Sequence, residues 1–234
     1  MLPKTPETSH RRRAFTLIEL LTVIAIIGIL ASIIFPTIGA VQNHAHKAAV
    51  KAQLGQWSVA MQSFHSDYSY YPQIDGAYAA TQGEANIVNP QKFAIALTGV
   101  ELDSTVLPAT ASATDMVGNT KRRGYYSIAQ SEQVLTDGIP TGLQDAFGNT
   151  QIAVLYDSNG DGWIRSDDKV YGGATQAAPT LSAKGGGKYT PDPVNDVNLT
   201  PTQGVRAGVI FYTPGPGNPS GAAIDASSAV FSWK

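Results

Sequence analysis

The sequence contains no cysteine. That excludes a disulfide scaffold, a thiolate nucleophile and any Cys-ligated zinc or iron–sulfur centre. It leaves the compartment open, because an oxidising compartment permits disulfides without requiring them. Charge is also scarce. Only 15% of the 234 residues are Asp, Glu, Lys or Arg, against about a quarter in an ordinary soluble domain. The net charge of −2 provides no global basic field to hold nucleic acid. The four histidines, His10, His44, His46 and His65, have no metal-binding spacing; two residues apart on a helix, His44 and His46 face different sides. No nucleophile elbow, P-loop lysine motif or dinucleotide fingerprint occurs. Gly185–Lys188 lacks the following Ser/Thr and helix, and Pro214–Gly221 is a turn-rich loop. These absences argue against an enzyme.

What is present is one long hydrophobic run. Phe15–Phe35 reads FTLIELLTVIAIIGILASIIF, 21 residues with a single ionisable group, Glu19. As a helix it would rise roughly 30 Å, the thickness of a bilayer core, and it shows no polar face. Arg11-Arg12-Arg13 stand directly before it, which predicts a cytoplasmic N-terminus and everything after the span outside. A carboxylate in hydrocarbon costs roughly 2.5–3.5 kcal/mol on the insertion scale. Glu19 is therefore either tolerated near the interface or matched by a cationic partner. Gly28 and Ser32 share a helix face, which either permits close helix–helix approach or is incidental. Pro36 removes a backbone donor, so a kink or local melting is expected there.

Beyond the span, Val50, Leu54, Trp57, Met61, Phe64 and Tyr68 recur at spacings of four and three, one apolar helical stripe. The reading is a helix of about 80 Å from Phe15 to Tyr68, closed by Pro72, with a globular head docked on the stripe. A second, short helix is expected at Asn89–Thr98, with Asn89 as cap and Pro90 in the first turn. Residues 73–122 otherwise read as irregular, and Lys121-Arg122-Arg123 as a solvated turn. Strands are predicted at Gly124–Ala129, Gln151–Tyr156, Lys169–Tyr171, Arg206–Thr213 and Ala229–Trp233, and flexible loops at Ala183–Lys188 and Thr190–Asn198. The fold class is α+β, a long N-terminal helix on a small antiparallel sheet. The organisation is 1–14 leader, 15–38 membrane or filament-core helix, 39–72 amphipathic helix, and 73–234 head.

One segment carries site chemistry. Residues 157–168, DSNGDGWIRSDD, fit the twelve-residue calcium loop. Asp157, Asn159 and Asp161 stand at positions 1, 3 and 5, Gly162 at the sharp turn, and the Trp163 carbonyl at position 7. Ile164 would point to the core, and Asp168 falls at position 12, where Glu is usual. The flank 151–156 reads as strand, so the expectation is an isolated EF-hand-like loop binding a calcium ion. The alternative is a tight acidic turn that binds nothing.

Three processing signals compete for the N-terminus. A secretory cut after Ile38-Gly39-Ala40 would place a bulky Ile at −3. A twin-arginine signal at Arg12-Arg13-Ala14-Phe15 usually carries a weaker apolar core. The stretch RRRA–FTLIELLTVIAIIGILASIIFP instead resembles the prepilin-type N-terminus of type IV pilins and type II secretion pseudopilins. The resemblance implies cleavage between Ala14 and Phe15, Ala14 standing where Gly is usual, and methylation of Phe15. It makes Glu19 the fifth mature residue, the acid that neutralises the Phe15 amine of a neighbouring subunit. Asp145-Ala146-Phe147-Gly148-Asn149 and the ending Phe231-Ser232-Trp233 resemble segments of the major pseudopilins. That family's acidic C-terminal calcium ligands are mostly replaced here, by Asn218, Ala226 and Ser227. The implied partners are a prepilin peptidase/methylase, copies of the chain and other pseudopilins, an inner-membrane platform with its ATPase, and the lipid bilayer; nucleic acid is not among them. A surface type IV pilin and a membrane-anchored calcium-dependent binding module are the alternatives.

Overall fold

The computed structural model describes residues 16–76, 86–165, 178–191 and 202–233. The chain divides between His44 and Ala45 into two compact units. Helix α1, Leu17–Tyr68, passes from one to the other.

In the first unit α1 is long and apolar enough to cross a membrane, and none of its most apolar stretch is buried. Leu17, Ile18, Ile29, Ile33 and Phe35 all present their side chains outward. The helix continues through Pro36 without interruption, so the local melting expected at that residue does not occur. Neighbouring i→i−4 bonds hold the turn that lacks one donor.

In the second unit the same helix reverses its character. Val50, Leu54, Trp57, Met61 and Phe64 are fully buried, as the stripe predicted, and Tyr68 packs at its margin. The helix ends where Ser69 enters the left-handed region at φ 62° and its N–H bonds back to the His65 carbonyl at 2.7 Å. A left-handed residue closing a helix, with Pro72 beyond, is a standard stop. Helix α2, Pro90–Thr98, begins as expected: the Asn89 side chain accepts from the Lys92 N–H at 3.0 Å. Gly99, at φ 80°, ends it.

Both helices pack on a three-stranded antiparallel sheet ordered β3 (Ala153–Tyr156), β6 (Val209–Thr213), β7 (Val230–Phe231). Ala153 pairs with Tyr212 and Tyr156 with Val209; Tyr212 in turn pairs with Phe231. Every residue of these strands is buried, which requires cover on both faces. Alternation supplies two cores. Val154, Tyr156, Val209 and Phe211 meet α1 and α2, whereas Ala153, Leu155, Ile210 and Tyr212 face a second cluster with Ile164, Leu181, Tyr189 and Ile224. Trp57 keys the first core, with ring centroids 4.4 Å from Phe93 and 5.6 Å from Phe211.

The second core explains a departure from the sequence reading. Ala183–Lys188 is not a flexible loop. It turns a hairpin between β4 (Leu181–Ser182) and β5 (Lys188–Tyr189), and its glycines lie against the chain at 216–222. A Cβ at Gly185 would collide with the Pro216 carbonyl. Gly185→Ala is therefore expected to cost about 1–3 kcal/mol by overpacking, read as a lowered midpoint in chemical denaturation.

Another hairpin went unpredicted. β1 (Gln133–Thr136) and β2 (Ile139–Leu143) pair antiparallel around Asp137-Gly138. Both turn residues have positive φ, 52° and 80°, the signature of a two-residue type I′ turn, for which Asp-Gly is a strong signal. The strand expected at Gly124–Ala129 does not form. The Tyr125 and Tyr126 N–H groups both bond the Leu97 carbonyl, and their hydroxyls donate to Asp67 and Glu132. The strand expected at Lys169–Tyr171, and most of the loop expected at Thr190–Asn198, lie outside the described residues.

The basic run is a fastener rather than a free turn. Arg123 pairs with Asp67 at 2.8 Å, Arg122 donates to the Leu107 carbonyl at 2.7 Å, and Lys121 lies over the Tyr68 ring. The Tyr125 hydroxyl, with Arg123 behind it, holds the Asp67 carboxyl below the usual range.

Candidate functional site

Three constellations carry polar chemistry. The first is the start of α1. Glu19 Oε2 accepts from the Thr16 N–H at 2.9 Å and the Thr16 hydroxyl at 2.8 Å, while the Glu19 N–H donates to Thr16 Oγ1 at 3.3 Å. This reciprocal Thr-x-x-Glu cap satisfies helix-terminal donors that hydrocarbon could not. The spacing was legible in the sequence. It gives the acid an intramolecular role at the residue next to the proposed amine. Ala14 and Phe15 themselves lie outside the described residues.

The second is the acidic turn after β3. Asp157 Oδ1 accepts from the Gly160 N–H and Oδ2 from the Gly162 N–H, both at 2.8 Å. Asn159 Oδ1 accepts from the Asp161 N–H at 2.9 Å, and Asp161 Oδ1 from the Trp163 N–H at 2.8 Å. Gly160 and Gly162 take positive φ, 76° and 85°, which lets the chain curl around these oxygens. Ile164 is fully buried and bridges Val205. Three alternate oxygen-bearing side chains thus line one tight turn. Each carboxylate oxygen that takes an amide keeps a further lone pair, so the donor chemistry suits a hard cation. Arg165, however, pairs with Asp161 Oδ2 and holds that carboxyl below its usual range. A cation would compete with this guanidinium. Asp168 lies outside the described residues, among which no three His, Asp or Glu side chains converge as a metal cluster.

The third is buried. Asp145, 2% exposed, accepts four hydrogen bonds. The Phe147 and Asn149 N–H groups reach Oδ1 at 2.8 and 2.9 Å, and the Asn149 amide and Thr213 hydroxyl reach Oδ2 at 2.8 and 2.6 Å. Asn149 also donates to the Gly215 carbonyl and accepts from the Lys184 N–H. The Asp145 carboxylate thus joins 145–149 to the end of β6, and Asn149 adds the β4–β5 turn. The sequence marked Asp145 and Asn149 by resemblance, but Thr213 and Lys184 carried no signal, because only the tertiary fold brings them near.

The family described as the prokaryotic N-terminal methylation motif matches residues 9–35. No curated protein and no solved structure matches the chain. With that methylation motif at its N-terminus and a long helix packed on a small antiparallel sheet, the chain has the architecture of the type IV pilins and pseudopilins.

Proposed function

We propose that this chain is a pseudopilin, a structural subunit that polymerises into a periplasmic filament driving type II protein secretion. The observation that carries the reading is the contrast along α1: an apolar half with every large side chain exposed, then a half sealed into a head. In this reading a prepilin peptidase cuts between Ala14 and Phe15 and methylates Phe15. The subunit waits in the inner membrane, N-terminus cytoplasmic and head periplasmic, with Arg11–Arg13 setting the orientation. A platform protein and its ATPase then draw it into a helical stack. Leaving lipid exposes apolar side chains worth about 1.5–3 kcal/mol each, so extraction is feasible only as neighbouring copies cover them. The role is structural rather than catalytic.

Mass spectrometry of the protein purified from its native membrane tests the reading: the N-terminus is expected to be N-methyl-Phe15. A chain retaining residues 1–14 would instead favour a membrane-anchored binding module. Filaments imaged at the cell surface would favour a type IV pilin of adhesion, motility or DNA uptake. The Asp145–Asn149 segment and the Phe231-Ser232-Trp233 ending support secretion.

We further propose that a calcium ion stiffens the turn 157–168 through Asp157, Asn159, Asp161, the Trp163 carbonyl and Asp168. Saturating calcium at about a hundred times its dissociation constant would add about 2.7 kcal/mol. A raised melting temperature with calcium, lost in Asp157→Ala, is the expected result. No binding heat and no thermal shift would leave an acidic turn closed by its own amides and Arg165.

A further inference from the structure

A cavity of about 260 Å³ opens in the second unit between the end of α1 and the acidic turn. Its walls are aromatic: His65, Tyr70, Tyr71 and Tyr156 all line it. The His65 ring stacks on Tyr71 with centroids 4.5 Å apart. Tyr71 is held in place from behind, since a Cβ at Gly208 would strike its hydroxyl. Two carboxylates complete the lining, Asp75 and Asp157.

Asp75 is the anomaly. It is 7% exposed, its carboxylate accepts a hydrogen bond from the Tyr156 hydroxyl, and among the described residues its Oδ1 has no hydrogen-bond partner. Lys92 bonds the Asp75 main-chain carbonyl at 2.8 Å, not the carboxylate. Among the described residues the ion pairs are Arg123–Asp67 and Arg165–Asp161; neither neutralises Asp75 or Asp157. A buried carboxylate oxygen without a donor is costly, and such orphans recur where a ligand supplies the missing partner.

The chemistry of the walls selects the ligand. A hard divalent ion needs six to eight oxygens, whereas much of this wall is aromatic. Aromatic faces, by contrast, attract soft organic cations, and a guanidinium or ammonium brings the donor that Asp75 Oδ1 lacks. We propose that this cavity binds an organic cation, an alkylammonium or alkylguanidinium group, with Asp75 as its acceptor and Tyr70 and Tyr71 as its walls. The inference is independent of the filament reading, while Asp157 belongs both to this wall and to the proposed calcium turn.

The test uses the full chain in detergent micelles, in chelating buffer so that calcium at the neighbouring turn plays no part. Saturation-transfer NMR is recorded with n-butylammonium, ethylguanidinium and the neutral n-butanol. Both cations are expected to give signals at least fivefold above butanol. Asp75→Asn should remove most of that excess, Tyr70→Ala should reduce it, and Asp103→Asn, remote on the surface, should leave it unchanged. A capped tripeptide with a central lysine separates the sources. If it binds like the free amine, the cation is a protein side chain; if it is excluded while the amine binds, the ligand is a small molecule. Equal signals from butanol and the cations in the wild-type chain overturn the proposal, even if Asp75→Asn fails to fold. So does an unchanged excess in a folded Asp75→Asn.

Discussion

Replacing Glu19 with valine is expected to abolish filament assembly while leaving membrane insertion intact. Insertion should become easier, because the substitution removes a charge that costs roughly 2.5–3.5 kcal/mol in the span. Assembly should fail for the opposite reason. In the proposed filament Glu19 faces the Phe15 amine of a neighbour, and removing one partner leaves the other charge buried and unpaired, a penalty of about 3–5 kcal/mol per contact. Repeated at every subunit, that suffices to prevent growth. Glu19 also caps its own helix through Thr16, so Glu19→Gln, which keeps an acceptor but no charge, separates the two roles. Filaments from Glu19→Gln but not from Glu19→Val would assign the effect to the cap. Fractionation reads insertion and electron microscopy of sheared material reads assembly. Normal filaments from Glu19→Val would sink the idea.

Asp145→Ala is expected to destabilise the head by about 3–5 kcal/mol. Four donors converge on this carboxylate at 2.6–2.9 Å, and alanine would leave them buried without an acceptor. The damage should spread, because the network ties the β4–β5 turn and the end of β6 to residues 145–149. Thr213→Val removes a single donor and should cost about 1 kcal/mol. Denaturant unfolding measures both. A loss below about 1 kcal/mol for Asp145→Ala would show that these bonds re-form with water.

Local patterns were the most legible. The apolar stripe from Val50 to Phe64, the Asn89 cap and the strands at 153–156 and 209–213 each announce themselves within a few residues. They do so because helix and strand periodicity act at short range. The Asp137-Gly138 turn was equally local and was passed over, since its flanks, QVLT and IPTG, alternate weakly and are half exposed. The segment at 124–129 misled for the reverse reason. Its aromatic residues favour a strand, but they satisfy themselves with Leu97, Asp67 and Glu132 instead of a ladder.

The functional features divide in the same way. The methylation motif, the membrane-length helix and the Asp157–Asp161 turn are contiguous, so the sequence by itself determined them. The Asp145 network and the Asp75 cavity draw on residues far apart in the chain, Asp145 with Thr213 and His65 with Asp157. Only the tertiary structure decided those. A hydrogen bond or a cavity wall depends on proximity in space, which no periodicity encodes. Burial then turns an ordinary aspartate into either a fully satisfied joint or a carboxylate with one oxygen left without a donor.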